Sequence, residues 1–190
     1  MSREMFKNID EIFETDIKRN LTFESFYVKV SKIKLNSSVP ENIKTHFETA
    51  RNLMLYSWFV SKFRQVAELH AFSSIELAIR TKIEIATNKK CAKRGLKNLL
   101  EYAVRNKWIV DEGFPRVIER KQQKKKYREE FRPNLPDEIE EDLQKHTKIL
   151  VNFFPDLRNQ FAHGSNSILN SEMLIIDDCR HLINQLFGKN

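Results

Sequence analysis

The sequence of 190 residues is long enough for one domain with its own hydrophobic core. Its hydrophobic share of 41% is that of a globular chain rather than a disordered one, and its 4 glycines and 5 prolines argue against a turn-rich β-sandwich or barrel. The formal net charge of +7 favours an anionic partner, nucleic acid first, although solubility alone also explains such a surplus.

The cysteines and the first residues bear on the cellular compartment of the protein. Cys91 and Cys179 lie far apart and belong to no CxxC or Cys/His cluster, so we predict reduced thiols and neither a metal nor another cofactor. The first 20 residues are charged throughout, unlike a signal peptide. The longest apolar run, residues 53–60, is far too short to span a membrane. We therefore expect a cytoplasmic protein with no membrane partner.

The N-terminal part of the chain is predicted to hold two helices. Residues 1–40 form an extension with a short helix at "FYVKVSKIKL", where strand-like alternation fits about as well as a helical pattern. A long helix is expected to open at Pro40 and to include Phe47 and Trp58. It should be central in the fold, because "ARNLMLYSWFVSKF" is apolar on nearly every side.

Four later segments repeat apolar residues at intervals of three and four, the spacing of an amphipathic helix. Their stripes are Leu69, Phe72, Ile75, Ile79 and Ile83; Leu96, Leu99, Leu100, Ala103 and Val104; Leu143, Leu150, Phe154, Leu157 and Phe161; and Ile175, Ile176, Cys179, Leu182, Ile183, Leu186 and Phe187. These patterns predict an all-α helical bundle of roughly four to six main helices. Residues 41–190 are expected to form it as a single globular unit.

Glycine and proline mark the expected ends of these helices. The positions are Gly113 and Pro115, Pro133 and Pro136, Pro155, and Gly164. A loop is expected between the prolines at 133 and 136, followed by a helix whose acidic start lies in "DEIEEDLQKH". The proline at 155 should kink or restart its helix, and Ser171 is a plausible N-cap for the last one.

The segment "RKQQKKKYR", residues 120–128, differs from the rest because it has six basic residues, one aromatic and no apolar stripe. One interpretation is a solvated, mobile loop or helix end. The other is an arm that tracks phosphates and supplies salt-sensitive affinity for RNA. The candidate RNA-binding residues are Lys121, Lys124, Lys125, Lys126 and Arg128.

The segment "RNQFAHG", residues 158–164, is a candidate phosphate site. Metal-independent RNA cleavage needs a base for the ribose 2′-OH, an acid for the leaving oxygen and a cation for the phosphate. His163 suits the proton transfer, and Arg158 suits the phosphate oxygens. On an ideal helix Asn159 lies about 40° from the histidine, whereas the arginine lies roughly 140° from it. The spacing also fits a helix-terminal histidine beside a surface arginine.

A resemblance adds to these residues. "RNQFAHG" before a final amphipathic helix resembles the signature of the HEPN superfamily, in which an arginine, a polar residue and a histidine define the site. "AELHAFSSIELAIRTKI" and "GLKNLLEYAVRNKWI" are similar to two core helices of such domains. The resemblance spans roughly residues 42–187. It implies a helical bundle that forms homodimers, with two Arg/His sets facing each other across a basic cleft.

The family also implies roles for individual residues. Arg158 would hold the phosphate, Asn159 would orient it and His163 would transfer protons. A glutamate from the first core helix sometimes joins the site. Glu76 is the candidate here ahead of Glu68, although an i,i+4 ion pair with Arg80 explains Glu76 slightly better.

The remaining histidines and the tryptophans receive no functional role. His70 is interpreted as a helix histidine whose hydrogen bonds are satisfied, and His46, His146 and His181 have no partner pattern. The two tryptophans are interpreted as packing residues rather than base-stacking platforms.

The sequence therefore predicts a metal-independent endoribonuclease, or an RNA-targeting toxin or phage-defence factor, of HEPN type. RNA is the expected substrate. A separate antitoxin or a nucleotidyltransferase-type protein is a possible partner, because no nucleotidyltransferase motif lies in this chain. The alternative is a non-catalytic HEPN-like module that binds RNA or a partner protein, since a fold alone does not establish an activity.

Overall fold

The computed structural model describes residues 6–132, 144–164 and 174–188. Within these ranges the regular structure is helical and contains no strand, so the predicted all-α helical bundle is confirmed. The helices are α1 Phe23–Ser31, α2 Glu41–Tyr56, α3 Phe63–Thr87, α4 Leu96–Arg105, α5 Pro115–Phe131, α6 Lys145–Ala162 and α7 Leu174–Phe187. Short 3-10 turns lie at Ile9–Glu11 and Asp111–Gly113.

The central helix is α3, which packs against α2, α4, α6 and α7. It takes this position because apolar side chains lie around most of its circumference, so several neighbours can cover it at once. Its buried apolar residues are Ala67, Ala71, Phe72, Ile75, Ala78, Ile79 and Ile83. The helical stripe predicted from Leu69 to Ile83 is therefore confirmed, with Leu69 itself only partly buried.

The single long helix predicted through Trp58 is wrong, because α2 ends at Tyr56 and α3 begins at Phe63. Ser57 ends α2: its N–H donates to the Leu53 carbonyl, and its hydroxyl donates to a second carbonyl of the last turn. The indole of Trp58 then lies in the turn, where it packs against α1.

The short helix predicted near residues 26–35 is confirmed as α1. The Thr22 hydroxyl caps it by accepting from the Ser25 N–H at 3.3 Å. Phe26 and Val30 are buried and belong to the same hydrophobic cluster as the bundle helices. α1 therefore packs onto the bundle, and the domain boundary at residue 40 stays a prediction.

The basic segment of residues 120–128 is part of the helix α5, so it is not a loop, and most of its residues are exposed to solvent as one interpretation expected. Arginine, lysine, glutamine and glutamate are good helix formers, and Pro115 occupies the first helical position. Pro155 lies within α6, which runs continuously through it, so the predicted restart does not occur. The expected features at Pro133, Pro136, "DEIEED" and Ser171 lie outside the described residues.

Candidate functional site

The "RNQFAHG" segment forms the C-terminal end of α6, as predicted. His163 is the C-cap residue, and its N–H donates to the Asn159 carbonyl at 3.0 Å. Gly164 follows with a φ of 77°, in the left-handed region that side chains with a Cβ adopt at a cost. Its N–H donates to the carbonyl of the buried Phe161. The motif therefore lies on a defined helix end anchored in the core.

Arg158 lies beside α3, where the structure brings it together with Glu76. Its Nε is 3.6 Å from a carboxylate oxygen of Glu76, and the same carboxylate is 4.0 Å from the guanidinium of Arg80. Glu76 therefore lies beside the arginine of the motif and also beside Arg80, the i,i+4 partner that is the alternative explanation for it. The Arg158 side chain is 38% exposed and that of Glu76 21% exposed. The pair is loose, because the Arg158 Nε makes no hydrogen bond.

Asn159 and His163 lie on the opposite, solvent-exposed side of α6. Helical spacing places His163 on the same face as Ile149 and Phe153, which are 53% and 41% exposed. A continuous outer face, residues 149, 153, 156, 160 and 163, thus carries two large apolar side chains and the histidine. We call it the outer face of α6. Within one chain the arginine and the histidine of the motif point in different directions.

The predicted RNA-binding residues all lie on α5. Lys124, Lys125 and Lys126 are exposed, whereas Lys121 and Arg128 are half-buried. Lys125 lies 3.9 Å from Glu129 in an exposed i,i+4 pair, which contributes little to stability. The segment is therefore a regular, exposed basic helix.

A buried polar cluster, which the sequence analysis missed, joins the starts of α5 and α6 to α7. The Asp111 carboxylate accepts from the N–H groups of His146 and Thr147 at 2.9 and 2.7 Å, and so caps α6. Arg116 donates to the buried carboxylate of Asp178 and lies 3.3 Å from the His146 ring. The partners are at least 30 residues apart in sequence, so no local motif marks them.

Burial shifts the acid–base properties of this cluster. It raises the pKa of Asp178 to about 7, with Arg116 opposing the shift. It lowers the pKa of His146 to about 4, and Arg116 adds to that shift while Asp111 opposes it. These directions belong to a structural core cluster, because Asp178 and His146 are both buried.

His70 differs from its interpretation as a satisfied helix histidine. Its ring stacks on that of His46, with centroids 4.1 Å apart and planes within 7°. Its Nε2 is buried without a hydrogen-bond partner, whereas the His46 Nδ1 lies 2.8 Å from the Ser74 hydroxyl. Burial, together with the neighbouring ring, lowers the pKa of His46. The "satisfied" interpretation of His70 is therefore wrong.

A separate cleft of about 570 Å³ lies beside α7 and contains none of the predicted site residues. Arg180, His181, Lys107 and Trp108 line part of it. Arg180 is paired with Asp177 at 2.7 Å, so its charge is largely compensated.

Comparisons with family models, curated proteins and solved structures found no match to this chain. Among the described residues, no helix combines the length and apolarity that crossing a bilayer requires. Nor does any group of three or more His, Cys, Asp and Glu residues in those ranges have the arrangement of a metal site.

Proposed function

We propose that the protein is a metal-independent endoribonuclease of HEPN type. The observation that carries the proposal is the end of α6, where an exposed histidine and amide follow an arginine that is held beside a glutamate of the central helix. These residue types, on a defined helix end before the last helix of an all-α bundle, are what acid–base cleavage of RNA requires.

The chemistry assigns one task to each group. A base removes the proton of the ribose 2′-OH, and the 2′-oxygen attacks phosphorus. The bond from phosphorus to the 5′-oxygen breaks, and an acid protonates that leaving oxygen. His163 performs proton transfer, Arg158 neutralises the phosphate and Asn159 orients it. Because the reaction uses both a base and an acid and each chain has one histidine at this site, it needs a second source of a proton-transfer group.

A homodimer supplies that second source. Each chain has one histidine at this site, and two-fold pairing brings two together. The outer face of α6 is the surface for this pairing, because Ile149 and Phe153 remain exposed beside His163. The basic helix α5 contributes phosphate contacts through Lys124, Lys125 and Lys126.

We further infer a cytoplasmic defence or toxin role restrained by a separate antitoxin or nucleotidyltransferase-type partner. A free ribonuclease would damage the RNA of its own cell, so such restraint follows from the proposed activity.

One observation favours the non-catalytic alternative, an RNA- or protein-binding module. The Arg158–Glu76 ion pair lies within a single chain, so the arginine charge is partly compensated before any phosphate arrives. In that case the arginine holds α6 against α3, and His163 is only a helix end.

The test is cleavage of structured and unstructured RNA in EDTA by the wild type and by His163→Ala and Arg158→Ala. Asn152→Ala, exposed on α6 outside the outer face, and Arg105→Ala, which removes an exposed arginine from α4, are the matched controls. We expect the first two variants to lose about 100-fold or more in rate and the controls to stay near wild type. Because His163 is exposed, its replacement should change the unfolding free energy by no more than about 0.5 kcal/mol.

The other outcomes are equally informative. Cleavage that survives in both variants places the activity elsewhere or in a contaminant. No cleavage, together with RNA binding that weakens steeply in salt, supports the non-catalytic module.

A further inference from the structure

The helix α5 projects from the bundle on a fixed base. Phe114 and Val117 are buried, and Arg116 is paired with the buried carboxylate of Asp178 on α7. The structure describes the whole of α5, and beyond Val117 none of its residues is buried. The remaining 14 residues, 118–131, extend over about 21 Å. α5 is therefore an arm that is anchored in the core at its N-terminal end and largely exposed along the rest of its length.

Two aromatic side chains lie near the end of this arm, in contact with each other. Tyr127 and Phe131, one helical turn apart, have ring centroids 4.9 Å apart and planes inclined at 34°. They are nonetheless 57% and 61% exposed. Neither ring packs into the core, so the pair does not stabilise the bundle in the way that the buried aromatics do. Two neighbouring exposed rings form a surface on which a flat group can stack.

Positive charge surrounds this aromatic pair. The helix has seven lysines and arginines and three glutamates, a net charge of +4. On an ideal helix Lys124 lies within about 20° of Phe131 and about 60° of Tyr127. Aromatic rings for bases, beside lysines that follow a phosphate backbone, are the combination found in proteins that bind single-stranded nucleic acid.

We propose that the end of α5 binds unpaired RNA, with a base stacked on the Tyr127–Phe131 pair and a neighbouring phosphate contacted by Lys124. The identity of the ligand as RNA rests on the proposed function. An unpaired strand is required because the base faces of a duplex are already stacked on one another. The inference extends the proposed function by naming the substrate class as single-stranded RNA.

The experiment measures binding without cleavage. The probe is a fluorescent, unstructured 12-nucleotide RNA with 2′-O-methyl groups, which lacks the nucleophilic hydroxyl, and it is compared with a blunt duplex of the same length. Fluorescence anisotropy gives the affinity of the full chain and of Tyr127→Ala, Phe131→Ala and the double variant. Ile118→Ala is the matched control, because it removes another exposed apolar side chain from α5.

We expect each aromatic substitution to weaken single-strand binding by about 5-fold or more and the double variant by more than either. Tyr127→Phe should retain the affinity, since it keeps the ring, and the control should bind like the wild type. The salt dependence should be unchanged in the aromatic variants, whereas Lys124→Ala should reduce the slope of log K against log salt by about 0.7. Circular dichroism at 222 nm verifies that the total helix content of each variant is unchanged.

Aromatic variants that bind the single strand like the wild type would overturn the inference and leave the exposed pair for a protein partner. An equal loss on the duplex would also overturn it, because stacking then does not explain the effect. Single-strand binding that depends on the aromatic pair, in a protein that does not cut RNA, would remove the proposed activity and keep the inference. If the protein cuts RNA but its binding does not depend on the aromatic pair, the proposed activity stands and the inference about the pair is overturned.

Discussion

Among the polar residues, Asp111 is the one whose loss we expect to destabilise the fold most clearly. It is 2% exposed and lies in the 3-10 turn before α5, 34 residues before α6 begins. Its two carboxylate oxygens accept from the N–H groups of His146 and Thr147 and from the Thr147 hydroxyl. The N-cap residue of α6, Gln144, makes no side-chain capping hydrogen bond, so Asp111 caps this helix from another part of the chain.

The magnitude follows from these bonds. Asp111→Ala leaves two buried N–H groups without an acceptor, at about 1–2 kcal/mol each. The negative charge at the positive end of the α6 dipole is lost as well, and part of the sum is offset because no carboxylate has to be desolvated. We expect a loss of about 3 kcal/mol in the free energy of unfolding. At roughly 2.5 °C per kcal/mol for a chain of this length, the melting temperature should fall by about 7 °C.

Urea unfolding followed by circular dichroism measures this loss, with Glu112→Ala as the control. Glu112 is the exposed neighbour in the same turn, and its replacement should cost less than about 0.5 kcal/mol. Asp111→Asn keeps one acceptor oxygen, so it should lose about half as much as the alanine variant. Hydrogen exchange should accelerate first at residues 146 and 147. An alanine variant within about 1 kcal/mol of the wild type would refute the capping argument.

Two further predictions concern pH and assembly. The stability contributed by Asp178, with its raised pKa, is lost as the pH rises towards 7, whereas that of His146, with its lowered pKa, is lost as the pH falls from about 6.5 towards 4. In Asp178→Asn only the effect of His146 remains. Between about pH 4.5 and 6.5 the unfolding free energy of this variant, measured in urea, should therefore rise more steeply with pH than that of the wild type, by up to about 1.4 kcal/mol per pH unit. Equal slopes in the two proteins would contradict this prediction. Phe153→Lys should convert the proposed dimer to monomers in sedimentation velocity and reduce cleavage, although His163 is untouched; an unchanged dimer would exclude the outer face of α6 as the interface.

Most of the helices could be predicted because their apolar residues repeat at the helical period. The stripe of α7 is buried as expected from Ile175 to Leu186, and in α4 Leu96, Leu99 and Leu100 are buried. Because one side of each helix is buried, apolar residues recur at the helical period, and this part of the fold can be predicted from the sequence.

The break between α2 and α3 could not be predicted in the same way. No glycine or proline occurs from residue 41 to residue 94, and the residues on both sides of the turn are apolar. Tertiary contacts decide it: Trp58 packs on Phe26, and the Ser57 hydroxyl satisfies a carbonyl at the end of α2. Periodicity alone therefore joins two antiparallel helices into one.

In the candidate site, too, local features could be predicted from the sequence, whereas long-range contacts could not. The helix end at Gly164 follows from local sequence, because a left-handed residue after the last turn favours glycine. The contact between Arg158 and Glu76 joins residues 82 positions apart, and it was anticipated only through a family resemblance. Neither a local motif nor the family resemblance predicts the Asp111 cap or the Arg116–Asp178 pair. Polar contacts made at long range leave no periodic signal.

The loose pairing of Arg158 bears on how the two halves of the motif can act together. A guanidinium fixed by two hydrogen bonds to a carboxylate has little capacity for phosphate, but here the Nε stays 3.6 Å from Glu76, and the carboxylate is shared with Arg80. The arginine is thus positioned without being saturated, on the α3 side of α6. His163 lies on the other side, at the exposed end of the face that carries Phe153. One chain therefore presents a phosphate-binding group and a proton-transfer group in different directions, and under the proposed function the second proton-transfer group comes from the α6 of a partner chain.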